Sequence, residues 1–148
     1  MKLALACDHA GWEMKNCLAA YLRDRGHEVR EVFPDKYDPQ DDYPDAAEAL
    51  GRAVASKAVE RGILICGSGV GACVAANKIR GVRAGLCHDT YSAHQGVEHD
   101  DVNVLCLGAR VIGEATAQEL VTAFLGARFS GEERHARRLR KTMALEGS

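Results

Sequence analysis

At 148 residues the chain is long enough to bury a core of its own, and 47% hydrophobic with 27% charged residues is the composition of a soluble globular domain. A formal net charge of −2 provides no bulk attraction to nucleic acid or an anionic membrane, and no apolar run approaches the ~18 residues of a membrane span. The apolar start, Met1 to Cys7, is stopped by Asp8-His9 too soon for a secretory signal, so a cytoplasmic protein with one domain over 1–148 is expected.

In chain order, residues 2–7 predict a short strand. Residues 12–25 carry Trp12, Leu18, Ala19 and Leu22 at helical spacing and stop before Gly26, a natural C-terminal glycine. Residues 28–33 alternate polar and apolar side chains, as a strand near a sheet edge does. Residues 34–44 form a polar loop holding all three prolines, longer than an ordinary connection and therefore a place for function. An alanine-rich helix is expected over 45–60, a strand over 62–66, a helix over 71–79 and a strand over 82–87. A short helix over 90–97, a strand over 103–107, a helix over 114–125 and a basic helix over 132–145 complete the order.

Strand and helix thus alternate five times, with one helix left over. The pattern predicts an α/β fold: a doubly wound, five-stranded parallel sheet in three layers, Rossmann- or flavodoxin-like, plus an extra C-terminal helix. Ligands in such sheets bind at the carboxyl ends of the strands. Just past the strands lie Asp8-His9, Cys66-Gly67-Ser68-Gly69, His88-Asp89 and Gly108-Ala109-Arg110, with His99 in the loop before the fifth strand.

The six cysteines do not suggest a disulfide framework. Cys7, Cys66, Cys87 and Cys106 lie in or at the ends of apolar runs and Cys17 in an apolar helical pattern, where free thiols pack as small hydrophobes. No C-x-x-C or H-x-x-x-H spacing occurs, so no metal site is expected.

The segment Gly62-Ile63-Leu64-Ile65-Cys66-Gly67-Ser68-Gly69-Val70-Gly71 reads as a buried strand, a glycine-rich turn carrying a cysteine, and the start of a helix. Such a turn aims backbone N–H groups at one point, a cradle for a small anion or an enolate oxygen beside a sulfur nucleophile or base. It lacks the third glycine of a dinucleotide fingerprint and the Lys-Ser/Thr of a P-loop. A cysteine phosphatase would place an arginine six residues after Cys66, where Ala72 stands.

Cys66 is therefore the candidate base or nucleophile, and Cys7, Cys73, Cys87 and Cys106 are assigned to packing. Asp8 either caps the next helix or faces the site, while His9 beside it suits ligand contact. His99 sits among Glu98, Asp100 and Asp101, carboxylates that would orient its ring. Arg134 and Arg138 are four apart on one helical face, spaced to grip one phosphate, and their helix is free to reach a neighbouring subunit. Tyr43, in Asp42-Tyr43-Pro44, would line the mouth of the site.

Over essentially its whole length the chain resembles ribose-5-phosphate isomerase B, within the group that includes the galactose-6-phosphate isomerase subunits. The resemblance rests on Cys7-Asp8-His9-Ala10-Gly11, Asp42-Tyr43-Pro44, the Cys66 turn through Ala75-Ala76-Asn77-Lys78, and Gly81-Val82-Arg83-Ala84. It continues through Tyr91-Ser92-Ala93, His99 with Asn103-Val104-Leu105, Gly108-Ala109-Arg110-Val111, Arg134 and Arg138. It implies aldose–ketose isomerisation of a phosphorylated sugar through an enediolate, with no metal or organic cofactor. By that resemblance Cys66 moves the proton between C2 and C1, and His99 assists ring opening with Asp8 nearby. The Ser68 hydroxyl and backbone N–H groups of Gly67, Gly69, Val70 and Gly71 hold the enediolate, and Tyr43 contacts the sugar. His9, Arg110, Arg134 and Arg138 hold the phosphate, the last two from the other protomer of a homodimer or a dimer of dimers.

Two positions depart from the pattern. Ser68 stands where many members have threonine, which keeps the hydroxyl. Asp100, an expected substrate contact, stands where many pentose-phosphate members have asparagine. An ionised carboxylate there accepts but does not donate, and sets negative charge near an enediolate. Ribose 5-phosphate is the expected substrate. Allose 6-phosphate, galactose 6-phosphate, a tetrose phosphate, or a non-catalytic flavodoxin-like module are the alternatives.

Overall fold

The computed structural model describes residues 1–147. Five parallel strands, β1 (Lys2–Cys7), β2 (Glu28–Phe33), β3 (Arg61–Cys66), β4 (Ala84–Leu86) and β5 (Val104–Gly108), stand in the order β2-β1-β3-β5-β4. Six helices accompany them: α1 (Trp12–Asp24), α2 (Tyr43–Ala55), α3 (Val70–Ala76), α4 (Thr90–Asp100), α5 (Glu114–Gly126) and α6 (Glu133–Ala144). The expected doubly wound parallel sheet is what forms, and among the described residues no helix is long and apolar enough to cross a membrane.

Alternation along the central strands builds two cores of different grain. Leu3, Leu5, Ile63, Ile65, Leu105 and Leu107 face α1, α4 and α5, where Leu18, Leu22, Val97, Leu120 and Phe124 meet them. The opposite face presents Ala4, Ala6, Leu64, Cys66, Val104 and Cys106 to Ala46, Leu50, Ala72 and Ala76 of α2 and α3. Small residues on that face bring α2 and α3 close to the sheet. Each fully buried leucine or phenylalanine contributes roughly 1.5–3 kcal/mol. β2 lies at the edge, as its alternation predicts, and Lys15 of the inner α1 face pairs with Glu31 there at 2.9 Å.

Four elements differ from expectation, among them α3, which ends at Ala76 rather than at 79. α2 starts at Tyr43, with Pro44 in its first turn, and ends at Ala55, because Lys57 turns left-handed (φ 61°) and Val59 tucks into the core. β4 is only three residues long, since Arg83 is held instead by the Asn103 side chain, whose Oδ1 accepts its N–H at 2.8 Å. α4 runs on to Asp100, past Gly96, and stops where Asp101 adopts φ 52°. His99 is therefore the penultimate residue of a helix rather than part of a loop.

Candidate active site

Cys66 closes β3 at the carboxyl edge of the sheet. Its sulfur is almost wholly covered and accepts the Gly69 N–H at 3.1 Å, a donor placed to hold negative charge on Sγ. Gly69 makes this turn with φ 81°, and a Cβ there would lie 2.9 Å from the Leu107 carbonyl carbon, so no larger residue fits without displacing β5. The turn is tied to the following strand's loop: Ala109 N–H donates to the Cys66 carbonyl at 2.9 Å and Arg110 N–H to that of Gly67 at 3.0 Å. His88 supports the same edge, its Nε2 accepting the Gly108 N–H at 3.0 Å.

A cavity of about 310 Å³ opens over the sulfur, lined by Asp8, Tyr43, Cys66, Ser68, Gly71 and Arg110. The Tyr43 ring lies directly on Gly71, where a Cβ would come within 2.7 Å of it. The Arg110 guanidinium covers Gly67. Asp8 fills both roles considered for it: its Oδ1 accepts the Ala10 N–H at 3.0 Å, and it borders the cavity. Two of the expected anion donors are engaged within the turn, Gly69 N–H by Cys66 Sγ and Val70 N–H by Ser68 Oγ at 3.2 Å. Gly67, Ser68 and Gly71 are the residues of this run that line the cavity. α3 has only seven residues, so individual amides rather than a long helix dipole supply the field.

Next to this cavity a second, of about 550 Å³, is lined by His9, Ala10, Trp12, Glu13, Tyr37 and Arg110. The two share Arg110. His9 Nδ1 pairs with Asp41 Oδ1 at 2.9 Å, and the same oxygen accepts the His9 backbone N–H at 2.8 Å. This hydrogen bond is the main cause raising the His9 pKa above that of an ordinary imidazole.

His99, Asp100, Arg134 and Arg138 are not brought to this edge. α4 begins beyond the carboxyl end of β4 and runs back, so its last residues lie by the amino ends of β4 and β5. There His99 stacks on His135 of α6 with ring centroids 4.0 Å apart, and its Nδ1 meets Gln95 Nε2 at 2.8 Å. His99 immediately precedes β5 and so lies at the amino ends of the parallel strands, opposite the edge that carries Cys66. Asp100 is exposed and borders a cavity of about 480 Å³ against α6. Arg134 pairs with Glu132 at 3.2 Å and Arg138 is exposed to solvent.

The remaining thiols divide. Burial pushes Cys7 up to about 12 and Cys87 up to about 11, as packing residues should be. Cys73, expected to be equally inert, is drawn down to about 7 by its hydrogen bond with the buried Cys106.

The profile of the Ribose/Galactose Isomerase family matches residues 3–142. The chain belongs to that family. Ribose-5-phosphate isomerase B of Escherichia coli is 43% identical over 145 residues, 98% of this chain and 96% of that protein. D-erythrulose-4-phosphate isomerase of Pectobacterium atrosepticum is 41% identical over 134 residues, 88% of this chain and 86% of its own. The structure of Clostridium thermocellum ribose-5-phosphate isomerase B superposes with a TM-score of 0.95 at 41% identity, covering 99% of this chain and 98% of that one. This member of the isomerase family is accordingly a sugar-phosphate isomerase.

Asp41, Trp12 and Tyr37 were not singled out in the isomerase sequence. Asp41 is one of several acidic residues in the loop over 34–44, and nothing local marks it as the partner of a histidine 32 positions earlier. Trp12 fits the apolar stripe of α1 and Tyr37 follows no periodic pattern, yet the two rings meet at 5.9 Å beside the second cavity.

Proposed function

We propose that the protein interconverts ribose 5-phosphate and ribulose 5-phosphate through an enediolate, with Cys66 as the base that moves the proton between C2 and C1. The observation that carries this reading is the Cys66 sulfur, held by the Gly69 N–H on the floor of a cavity walled by Asp8, Tyr43 and Arg110. As a thiolate, Cys66 takes the C2 proton while negative charge develops on the carbonyl oxygen at C1, facing the Gly67, Ser68 and Gly71 amides. Returning the proton to C1, while the C2 hydroxyl proton passes to the oxygen at C1, completes the exchange. The phosphate lies toward His9 and Arg110, remote from the reacting carbons, so that its binding energy orients the sugar.

The site is completed by a second copy of the chain, which supplies His99 for ring opening, where a proton passes from the anomeric hydroxyl to the ring oxygen. The partner's helix equivalent to α6 brings cations to the phosphate. Support comes from the separation of the two residue groups within one chain. Val70, Val74, Tyr91 and Val111 also stand 52–66% exposed around the Cys66 turn, an apolar rim suited to burial against a partner.

A second reading, the same chemistry on a four-carbon sugar phosphate, is favoured by the 41% identity to the D-erythrulose-4-phosphate isomerase. Turnover of ribose 5-phosphate, D-erythrulose 4-phosphate and allose 6-phosphate by the purified protein and its Cys66→Ala variant decides among them. The highest kcat/KM on ribose 5-phosphate, abolished in the variant, is expected. Preference for another sugar replaces the substrate, and activity surviving the substitution removes the base.

A further inference from the structure

We propose that Asp41 is a positioning residue for the phosphate subsite, holding His9 as an imidazolium whose Nε2–H faces the second cavity; this rests on the reading that the substrate phosphate lies against His9 and Arg110.

Asp41 Oδ1 accepts twice from His9, through the backbone N–H at 2.8 Å and through Nδ1 at 2.9 Å, so both the place of the residue and the turn of its ring are set by the same atom. The Asp41 side chain is only 5% exposed, whereas that of His9 is 35% exposed into the cavity. The second oxygen, Asp41 Oδ2, is buried with no hydrogen-bond partner. A buried, half-satisfied carboxylate costs folding free energy, which a purely structural contact would not require.

Histidine chemistry then supplies the consequence. With the Nδ1 proton committed to Asp41, a neutral ring presents a lone pair at Nε2, an acceptor that repels a phosphate oxygen. Only the imidazolium presents a donor there. The groups facing His9 are Asp8 from its own turn, Glu13 from α1, Tyr37 and Asp41 from the loop over 34–44, and Arg110 from the loop after β5. Arg110 and bound phosphate have opposite effects on the ring, and Asp41 is the charge in direct contact with it. The same loop leads within two residues to Tyr43, so the wall of the reacting cavity and the His9 anchor are built by one segment.

Asp41→Asn keeps an oxygen acceptor at this position and removes the charge. Side-chain NMR of His9 in the substrate-free protein is expected to show it titrating at lower pH in Asp41→Asn than in the wild type. KM for the sugar phosphate is expected to rise roughly 5-fold above neutral pH, with kcat nearly unchanged, the loss of the charged Nε2–H donor to the phosphate. His9→Gln, which retains a neutral N–H donor, is expected to lose this pH dependence of KM and serves also if Asp41→Asn folds poorly. An unshifted His9 titration in Asp41→Asn, or a pH-dependent KM that persists in His9→Gln, overturns the proposal. Inorganic phosphate separates the two levels. If His9 titration responds to Asp41→Asn but added phosphate does not perturb the ring, the phosphate subsite itself is misplaced and the binding role of Asp41 falls with it.

Discussion

The two groups of polar residues lie at opposite ends of the sheet and differ in how they are held. At the carboxyl edge, Cys66, Asp8, Tyr43 and Arg110 are fixed by backbone: strand ends in register, amides donating to sulfur and carbonyl, a phenol ring lying on a glycine. At the amino edge, His99 rests on His135, and the cations of α6 project into solvent or pair with their own helix. His135 is the only residue of α6 that is buried. The first region is preorganised by the chain that contains it. The second is an exposed surface, which the proposed function assigns to a second copy of the chain. Reacting atoms need sub-ångström placement, which a packed sheet edge provides, whereas a phosphate can be gripped by long side chains closing across an interface.

Four measurements test that contrast. Cys66→Ala should reduce kcat by about 10³-fold with little change in thermal stability, because loss of a general base lies in that range. Equal loss of stability would show the thiol to be a packing residue. Mixing Cys66→Ala with His99→Ala, each inactive alone, should restore about a quarter of wild-type activity after subunit exchange, since half the dimers are mixed and each has one intact site. Absence of recovery would mean that the two regions do not meet across an interface. Arg138→Ala should raise KM by about 10-fold and leave kcat within a few-fold, the loss of a phosphate contact that binds ground and transition states alike. A kcat effect as large as that of Cys66→Ala would place Arg138 at the reacting carbons instead.

The smallest effect concerns the amino edge alone. Burial, His99 and Arg134 hold the His135 pKa below that of an ordinary imidazole. A folded-state pKa below the unfolded value means that the unfolded chain binds more protons, so stability rises with pH through that window. The contribution of His135 is complete above ~6.5 and is lost as pH falls toward the folded value. The melting temperature should fall between pH 7.5 and 5.5, and His135→Asn should flatten that dependence without touching the carboxyl edge. A slope unchanged in the variant would assign the acid sensitivity elsewhere.

What could be read from the sequence follows the range of the forces involved. The strands of the sheet and the Cys66 turn were legible because alternation, helical spacing and glycines at 67, 69 and 71 act over neighbouring residues. The length of α4 was not. The helix expected over 90–97 runs on to Asp100, where Asp101 ends it, and its register is held by packing of Ala93 and Val97 into the core. The partition of the turn's amides between Sγ, a hydroxyl and a prospective ligand was equally hidden, since spacing does not say which donor reaches which acceptor.

The architecture, the family and the sulfur at the strand end are therefore written in local pattern and in motifs. Packing beyond the reach of local pattern pairs Asp41 with His9 and stacks His99 on His135. It also sets the Trp12 and Tyr37 rings beside a cavity next to the one over Cys66. Each depends on where a loop or helix end lands after the core has closed, a long-range outcome of packing that residue spacing does not encode.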